Sequence, residues 1–289
     1  MEFFLNEVSL QGQYSSMEDF IKDLADTVRC VKLIKKDPNS VIYKMTDFYN
    51  QQVTVNQKLS DLKHTHVTDE LMRFQLMLDQ EINNEPYWDE DFQQNLENCK
   101  YYWEKIDVGG TAMAEAAIRG AHLISFKYEG LVDRIVYISE ERKEHKETYE
   151  IQSVNSDRYL AKCLGDEIRL SRNDYLNALF HGTRINYTTV EKGFDAGILE
   201  KAEYDSLVST FTKFVEHDSF ETIDHDEGLE YKKYKPSRKD KNVFSATKYR
   251  NIQIMKFKFS KKMRVFGYRK EERFCVLRIE RDHKISDYG

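Results

Sequence analysis

The chain inverts its charge over its last stretch, and any fold must accommodate that inversion. From Tyr231 to Gly289 there are 19 Lys and Arg against six Asp and Glu, a net +13; the whole chain carries −6, so residues 1 to 230 carry −19. Within the basic stretch apolar and charged residues alternate, with Lys256 and Lys258 set among Ile252, Ile254, Phe257 and Phe259. A period of two places one set of side chains in a core and the other on a shared surface. Met263 to Tyr268 and Phe274 to Ile279 give two further strands, joined at residues 270–272. The pattern predicts an antiparallel sheet of three to four strands with Lys256, Lys258, Arg264 and Arg278 on one electropositive face.

A length of 289 residues leaves room for two domains at about 100 to 200 residues each. The composition, 40% hydrophobic and 33% charged, is that of a soluble globular chain. No apolar run approaches the ~18 residues of a membrane span, and Met1 to Glu7 lacks the basic start of a signal peptide, so a cytoplasmic protein without membrane contact is expected. Cys30, Cys99, Cys163 and Cys275 stand far apart with no short Cys/His spacing and read as free thiols. No Walker lysine motif, GxSxG, HExxH or GxGxxG is present, so no cofactor is expected.

The acidic part reads as strands and helices in alternation. Glu2 to Leu10 opens as a strand; Ser15-Ser16-Met17-Glu18 caps a helix carrying Phe20, Ile21, Leu24, Val28 and Val31 and ending near Lys35-Lys36. A strand at Val41 to Met45, a helix from Thr68, a strand at Lys100 to Trp103 and an alanine-rich helix at Thr111 to Gly120 follow. His122 to Phe126, Asp133 to Ser139 and Thr148 to Val154 read as strands. The expected fold is α+β: a mixed α/β domain over residues 1–192, then a basic domain over 193–289 built on the long helix Glu200 to Glu216 and the antiparallel sheet. Gly193 and Gly197 mark the joint.

Within the acidic part, Trp88 to Asp91 can be read as a hard-cation site or as a solvated loop anchored by Tyr87 and Trp88, and the loop is preferred because no second carboxylate group stands at motif spacing. Gly109-Gly110-Thr111 reads as a strand-to-helix turn in preference to a phosphate cradle. His64 and His66 have no third ligand at a known spacing, and Glu115 with Arg119 reads as a surface ion pair. The runs Phe4 to Tyr14, Pro86 to Asp91 and Thr111 to Ala116 resemble pieces of uncharacterised bacterial proteins associated with mobile elements and phage defence.

A second resemblance covers residues 198–289. One helix, then Gly228 to Lys235, then strands carrying Phe257-Lys258-Phe259, Arg264 to Arg269 and Val276 to Lys284, resembles the RelE/YafQ/HigB superfamily of toxin endoribonucleases. The resemblance implies a concave sheet that binds mRNA, often in the ribosomal decoding site, and a partner antitoxin or defence-complex protein. It implies metal-independent cleavage with Arg264, Arg269 and Arg281 as phosphate clamps, His283 as the catalytic histidine, and Tyr268 or Tyr288 stacking on a base or sharing the acid/base role. Lys233, Lys235, Arg238, Lys256, Lys258, Lys262, Arg278 and Lys284 complete the expected RNA-binding set. The reading from another class is a non-enzymatic subunit that docks nucleic acid or an acidic partner.

Overall fold

Phe3, Phe4 and Leu5 have no exposed surface, and the strand they form, β1 (Glu2–Leu5), lies inside a sheet rather than at its edge. The computed structural model describes residues 1–65, 69–143, 145–236 and 242–282. It divides into two compact units, the first running from Met1 to Leu170 and the second beginning at Ser171. The division falls 22 residues before the joint expected at 192/193.

In the first unit β1 is followed by α1 (Met17–Ile34), β2 (Val41–Tyr43), β3 (Gln52–Thr54), β4 (Gln57–Lys58) and α2 (Asp69–Ile82). Then come β5 (Lys100–Trp103), β6 (Ile106–Asp107), α3 (Ala112–Arg119), β7 (His122–Ile124), β8 (Arg134–Arg142), β9 (His145–Val154) and α4 (Asp157–Leu164). Seven strands make one mixed sheet in the order β2-β1-β7-β9-β8-β5-β6. The first four run parallel, and β8, β5 and β6 extend them antiparallel.

Local chemistry accounts for the helix ends. Ser16 caps α1 by accepting from the Asp19 amide, and Thr111 caps α3 by accepting from the Met113 amide. Gly120 ends α3 in the left-handed region at φ 62°, which favours glycine. The small residues of α3 (Ala112, Ala114, Ala116, Ala117) let it lie close on the sheet, in a core with Phe4, Leu123, Val136 and Ile151. Glu115 and Arg119 are not a surface pair. Glu115 is buried and the Arg119 side chain is only 6% exposed; Arg119 Nε donates to Glu115 Oε1 at 2.8 Å, and its guanidinium lies 5.2 Å from the Tyr43 ring centre.

The second unit holds α5 (Arg172–Leu179), β10 (Ile185–Asn186), α6 (Lys201–Glu216), α7 (Phe220–Asp224), β11 (Lys232–Lys233), β12 (Ile254–Lys258), β13 (Arg264–Lys270) and β14 (Arg273–Glu280). Its sheet has five strands, β10-β14-β13-β12-β11, rather than three to four. The extra strand β10 pairs parallel to β14. One face of the sheet packs Phe257, Val265, Phe274 and Val276 against Leu176, Phe211, Phe214 and Phe220 of the helices. The other buries Ile254, Phe266 and Leu277 under Tyr234, Phe244 and Tyr249. The boundary moves to residue 170 because Leu176, Leu179, Phe180, Ile185 and Tyr187 belong to the first of these cores. Among the described residues no helix is long and apolar enough to cross a membrane.

Candidate nucleic-acid interface

Strand pairing does gather cations on one side of the basic sheet. Lys258 stands opposite Arg264, which stands opposite Glu280; Lys256 stands opposite Phe266, which stands opposite Arg278; and Lys232 stands opposite Lys256. Directly paired residues share a face, so Lys256, Lys258, Arg264 and Arg278 lie together as the alternation predicts.

These side chains are engaged within their own unit. Arg264 Nη1 donates to the carbonyls of Ser260, Lys261 and Met263 at 3.0 to 3.3 Å, closing the turn between β12 and β13. Lys258 Nζ donates to Glu230 Oε1 at 2.7 Å, which holds the Glu230 carboxyl below its ordinary pKa. Arg278 donates to Glu191 Oε2 at 2.5 Å and is sandwiched by the Phe194 and Phe244 rings at 4.3 and 4.9 Å. Lys256 is 6% exposed, and burial pushes its pKa down.

The remaining expected residues are scattered. Arg269 lies over the Phe220 ring at 4.2 Å and donates to the Glu271 carbonyl and to Glu272, away from the row above. Arg281 Nε donates to Glu203 Oε1 at 2.8 Å, on the first turn of α6, and its Nη2 donates to Glu200, the residue that caps that helix. Lys233, Lys235 and Lys262 are exposed. Arg238, His283, Lys284 and Tyr288 lie outside the described residues. Of the expected clamps, Arg264, Arg269 and Arg281 each serve a separate structural contact and do not converge on one surface.

The partners that neutralise the row come from residues 191–230, where acids outnumber cations. Residues 171–230 hold 13 Asp and Glu against five Lys and Arg, so the second unit as a whole carries only +5 despite its +13 end. Arg281→Ala should therefore act on stability. We expect a slightly lower melting temperature, as loss of an exposed ion pair gives, with unchanged nucleic-acid affinity by fluorescence anisotropy.

An open cleft of about 760 Å³ lies elsewhere on this unit. Residues 188–192 form one wall, Lys248, Tyr249 and Ile252 another, and Tyr268 of β13 a third. The Tyr249 and Tyr268 rings are 5.8 Å apart at 37°, and Lys248 Nζ lies 5.2 Å from the Tyr249 ring centre. Lys192 and Lys248 are exposed at the cleft, whereas Tyr249 is 7% exposed and forms a fixed wall. Burial and the neighbouring Cys275 sulfur push the Tyr268 hydroxyl up, so it is protonated at neutral pH and serves as a donor or stacking surface, not as a base. Glu191, the carboxylate at the cleft, is tied to Arg278. The arrangement can hold an unpaired base against tyrosine and two phosphates against lysine.

Sequence reading finds Tyr268 but misses Lys192, Lys248 and Tyr249. The run Lys248-Tyr249-Arg250 interleaves cations with an aromatic, the same composition that singled out the strands, yet no strand or helix pattern surrounds it.

The other motifs resolve as structure. Asp89 accepts from the Thr46 amide and hydroxyl at 2.6 to 3.1 Å, tying one loop to another. Among the described residues no group of three or more His, Cys, Asp or Glu could hold a metal. At the Gly-Gly turn, the amides of Gly109, Gly110 and Ala112 are taken by Asp107, Gln94 and Glu7, acceptors of the chain itself. His66 lies outside the described residues. No protein family, curated protein or solved structure matches the chain.

Proposed function

We propose that the second unit binds single-stranded RNA in the cleft lined by Tyr249 and Tyr268, as a nucleic-acid-binding module. The observation that carries this reading is the cleft itself, with two tyrosines on its walls and two exposed lysines beside them. Stacking on aromatic rings is tolerant of sequence, and flanking cations attract any phosphate backbone. The support extends to binding. Cleavage requires a group that takes the 2′-OH proton and one that protonates the leaving oxygen; Tyr268 is no base, and His283 lies outside the described residues. The toxin-like endoribonuclease role, like the setting in a toxin–antitoxin or defence system, rests on the sequence resemblance.

The test is anisotropy of a labelled single-stranded RNA titrated with the full chain. Tyr268→Ala should weaken binding about 5- to 150-fold, the range given by loss of one base stack. Replacing Lys192 and Lys248 together with alanine should make the salt dependence shallower by roughly 1.4 in log–log slope, two phosphate contacts at about 0.7 each. Equal affinity of Tyr268→Ala and the parent chain would overturn the proposal. Gel analysis of the same RNA distinguishes binding from turnover: intact RNA fits a binding module, and discrete products would restore the endoribonuclease reading.

A further inference from the structure

In the first unit, the two neighbouring parallel strands β1 and β7 send the chain in opposite directions. From β1 it passes through α1 to β2 on one side; from β7 it passes to β8, beyond β9, on the other. In open α/β sheets such a reversal leaves a crevice outside the carboxyl ends of the strands, and ligands bind there.

A cleft of about 640 Å³ occupies that place, within the range of small-molecule sites. Gln13 from the loop after β1, residues 127–130 from the loop after β7, Trp103 at the end of β5 and Arg134 at the start of β8 all line it. The two loops are fastened together: Gln13 Nε2 donates to the Ser9 carbonyl at 2.8 Å and to the Lys127 carbonyl at 3.2 Å, and the Phe126 amide donates to Ser9 Oγ at 2.9 Å. Gly130 sits at φ +83°, and a Cβ there would come within 3.1 Å of the Trp103 indole, so the loop's approach to the ring depends on glycine. The walls are thus built before any ligand arrives.

The lining has a particular chemistry. Arg134 is an exposed cation, and so is Lys127, whose Nζ lies 3.4 Å from Asp23 Oδ1; Glu104 and Glu129 are exposed carboxylates, and Tyr128 offers ring surface beside the largely buried Trp103. We propose that this crevice binds a nucleoside 5′-monophosphate, a ligand separate from the RNA of the second unit. Two cations match one phosphate, a ring edge or face matches a base, and carboxylates accept from ribose hydroxyls or exocyclic amino groups. The same two carboxylates repel the additional charge of a triphosphate.

The experiment titrates AMP, GMP, CMP and UMP separately into the full chain, followed by calorimetry and tryptophan fluorescence, with adenosine and inorganic phosphate as partial ligands. At least one monophosphate should bind and change the Trp103 emission, more tightly than either partial ligand. Lys127→Ala with Arg134→Ala should weaken it by about tenfold or more, since the two substitutions remove both cations that face the phosphate. Both side chains are at the surface, so the fold should persist. Tyr268→Ala should alter neither the calorimetric binding nor the fluorescence change. No binding of any monophosphate at millimolar concentration, undiminished binding in the double variant, or loss in Tyr268→Ala would each overturn the proposal; the last would place the nucleotide in the RNA cleft instead.

Discussion

Gly267→Ala should unfold the second unit or lower its melting temperature severely while leaving the first unit intact. Gly267 lies on β13 where the register with β14 shifts between residues 266 and 267. A Cβ built there falls 2.2 Å from the Cys275 carbonyl oxygen and 2.7 Å from two ring carbons of Phe274. Neither neighbour can yield cheaply. The carbonyl belongs to the adjacent strand, and the Phe274 ring is fully buried among Phe214, Tyr231 and Phe257. Overpacking a tight core costs about 1 to 3 kcal/mol and occasionally more; with backbone as the obstacle, the upper end or beyond is expected. Trp88 and Trp103 both lie in the first unit, so tryptophan fluorescence follows that unit alone and far-ultraviolet circular dichroism follows both. The variant should lose part of its dichroism at a lower temperature while the fluorescence melt stays in place. Coincident melts of variant and parent by dichroism would show that the bulge accommodates a side chain.

How far the fold can be read from sequence depends on whether the information is local. The α1 cap at Ser16, the end of α3 at Gly120 and the span of α6 are set by neighbouring residues, and all lie where the sequence places them. The strand alternation around Lys256 and Lys258 likewise places a row of cations on one face. Their fate is not local. Lys258 meets Glu230 and Arg278 meets Glu191, 28 and 87 positions away in the chain, so a charge sum over the basic stretch alone cannot show that the row is neutralised. Strand β10 has two residues and no period to detect, yet it adds an edge to the sheet and moves the unit boundary. The RNA cleft shares this character: Tyr268 was legible from its strand, while Lys192 and Tyr249 become neighbours only when two loops fold over that strand. Gly109 to Thr111 shows the opposite case, in which a helix start that looks open to phosphate is filled by a residue 105 positions upstream.

That residue, Glu7, should make the first unit lose stability as pH rises, and Glu7→Gln should remove the loss. In the sequence it stands between Leu5 and Val8, inside the stretch Glu2 to Leu10 that reads as a strand, and nothing there singles it out. In the fold it is buried at the start of α3: Oε1 accepts from the Ala112 amide at 2.7 Å, and Oε2 has no hydrogen-bond partner. Burial, with smaller pushes from Asp89 and Asp47, raises its pKa to about 7 against the lowering amide bonds. The sign follows from the raised value. The unfolded chain releases this proton near pH 4.5 and the folded chain near pH 7, so the contribution is fully present below about 4.5 and is lost as pH rises through 7. The difference corresponds to on the order of 3 kcal/mol. A glutamine keeps an oxygen for the Ala112 amide and carries no charge at any pH, so it resembles the protonated acid. Parent and variant should melt alike near pH 4.5; by pH 8 the variant's tryptophan-detected transition should lie roughly 5 to 10 °C higher, the shift such an energy gives for a unit of this size. Glu7→Ala separates charge from bonding: it also removes the charge, but it leaves the Ala112 amide without an acceptor, at a cost of about 1 to 3 kcal/mol at every pH. A gap between parent and glutamine variant that does not change between pH 5 and 8 would mean that Glu7 is ionised throughout, held by the helix amides more strongly than burial opposes.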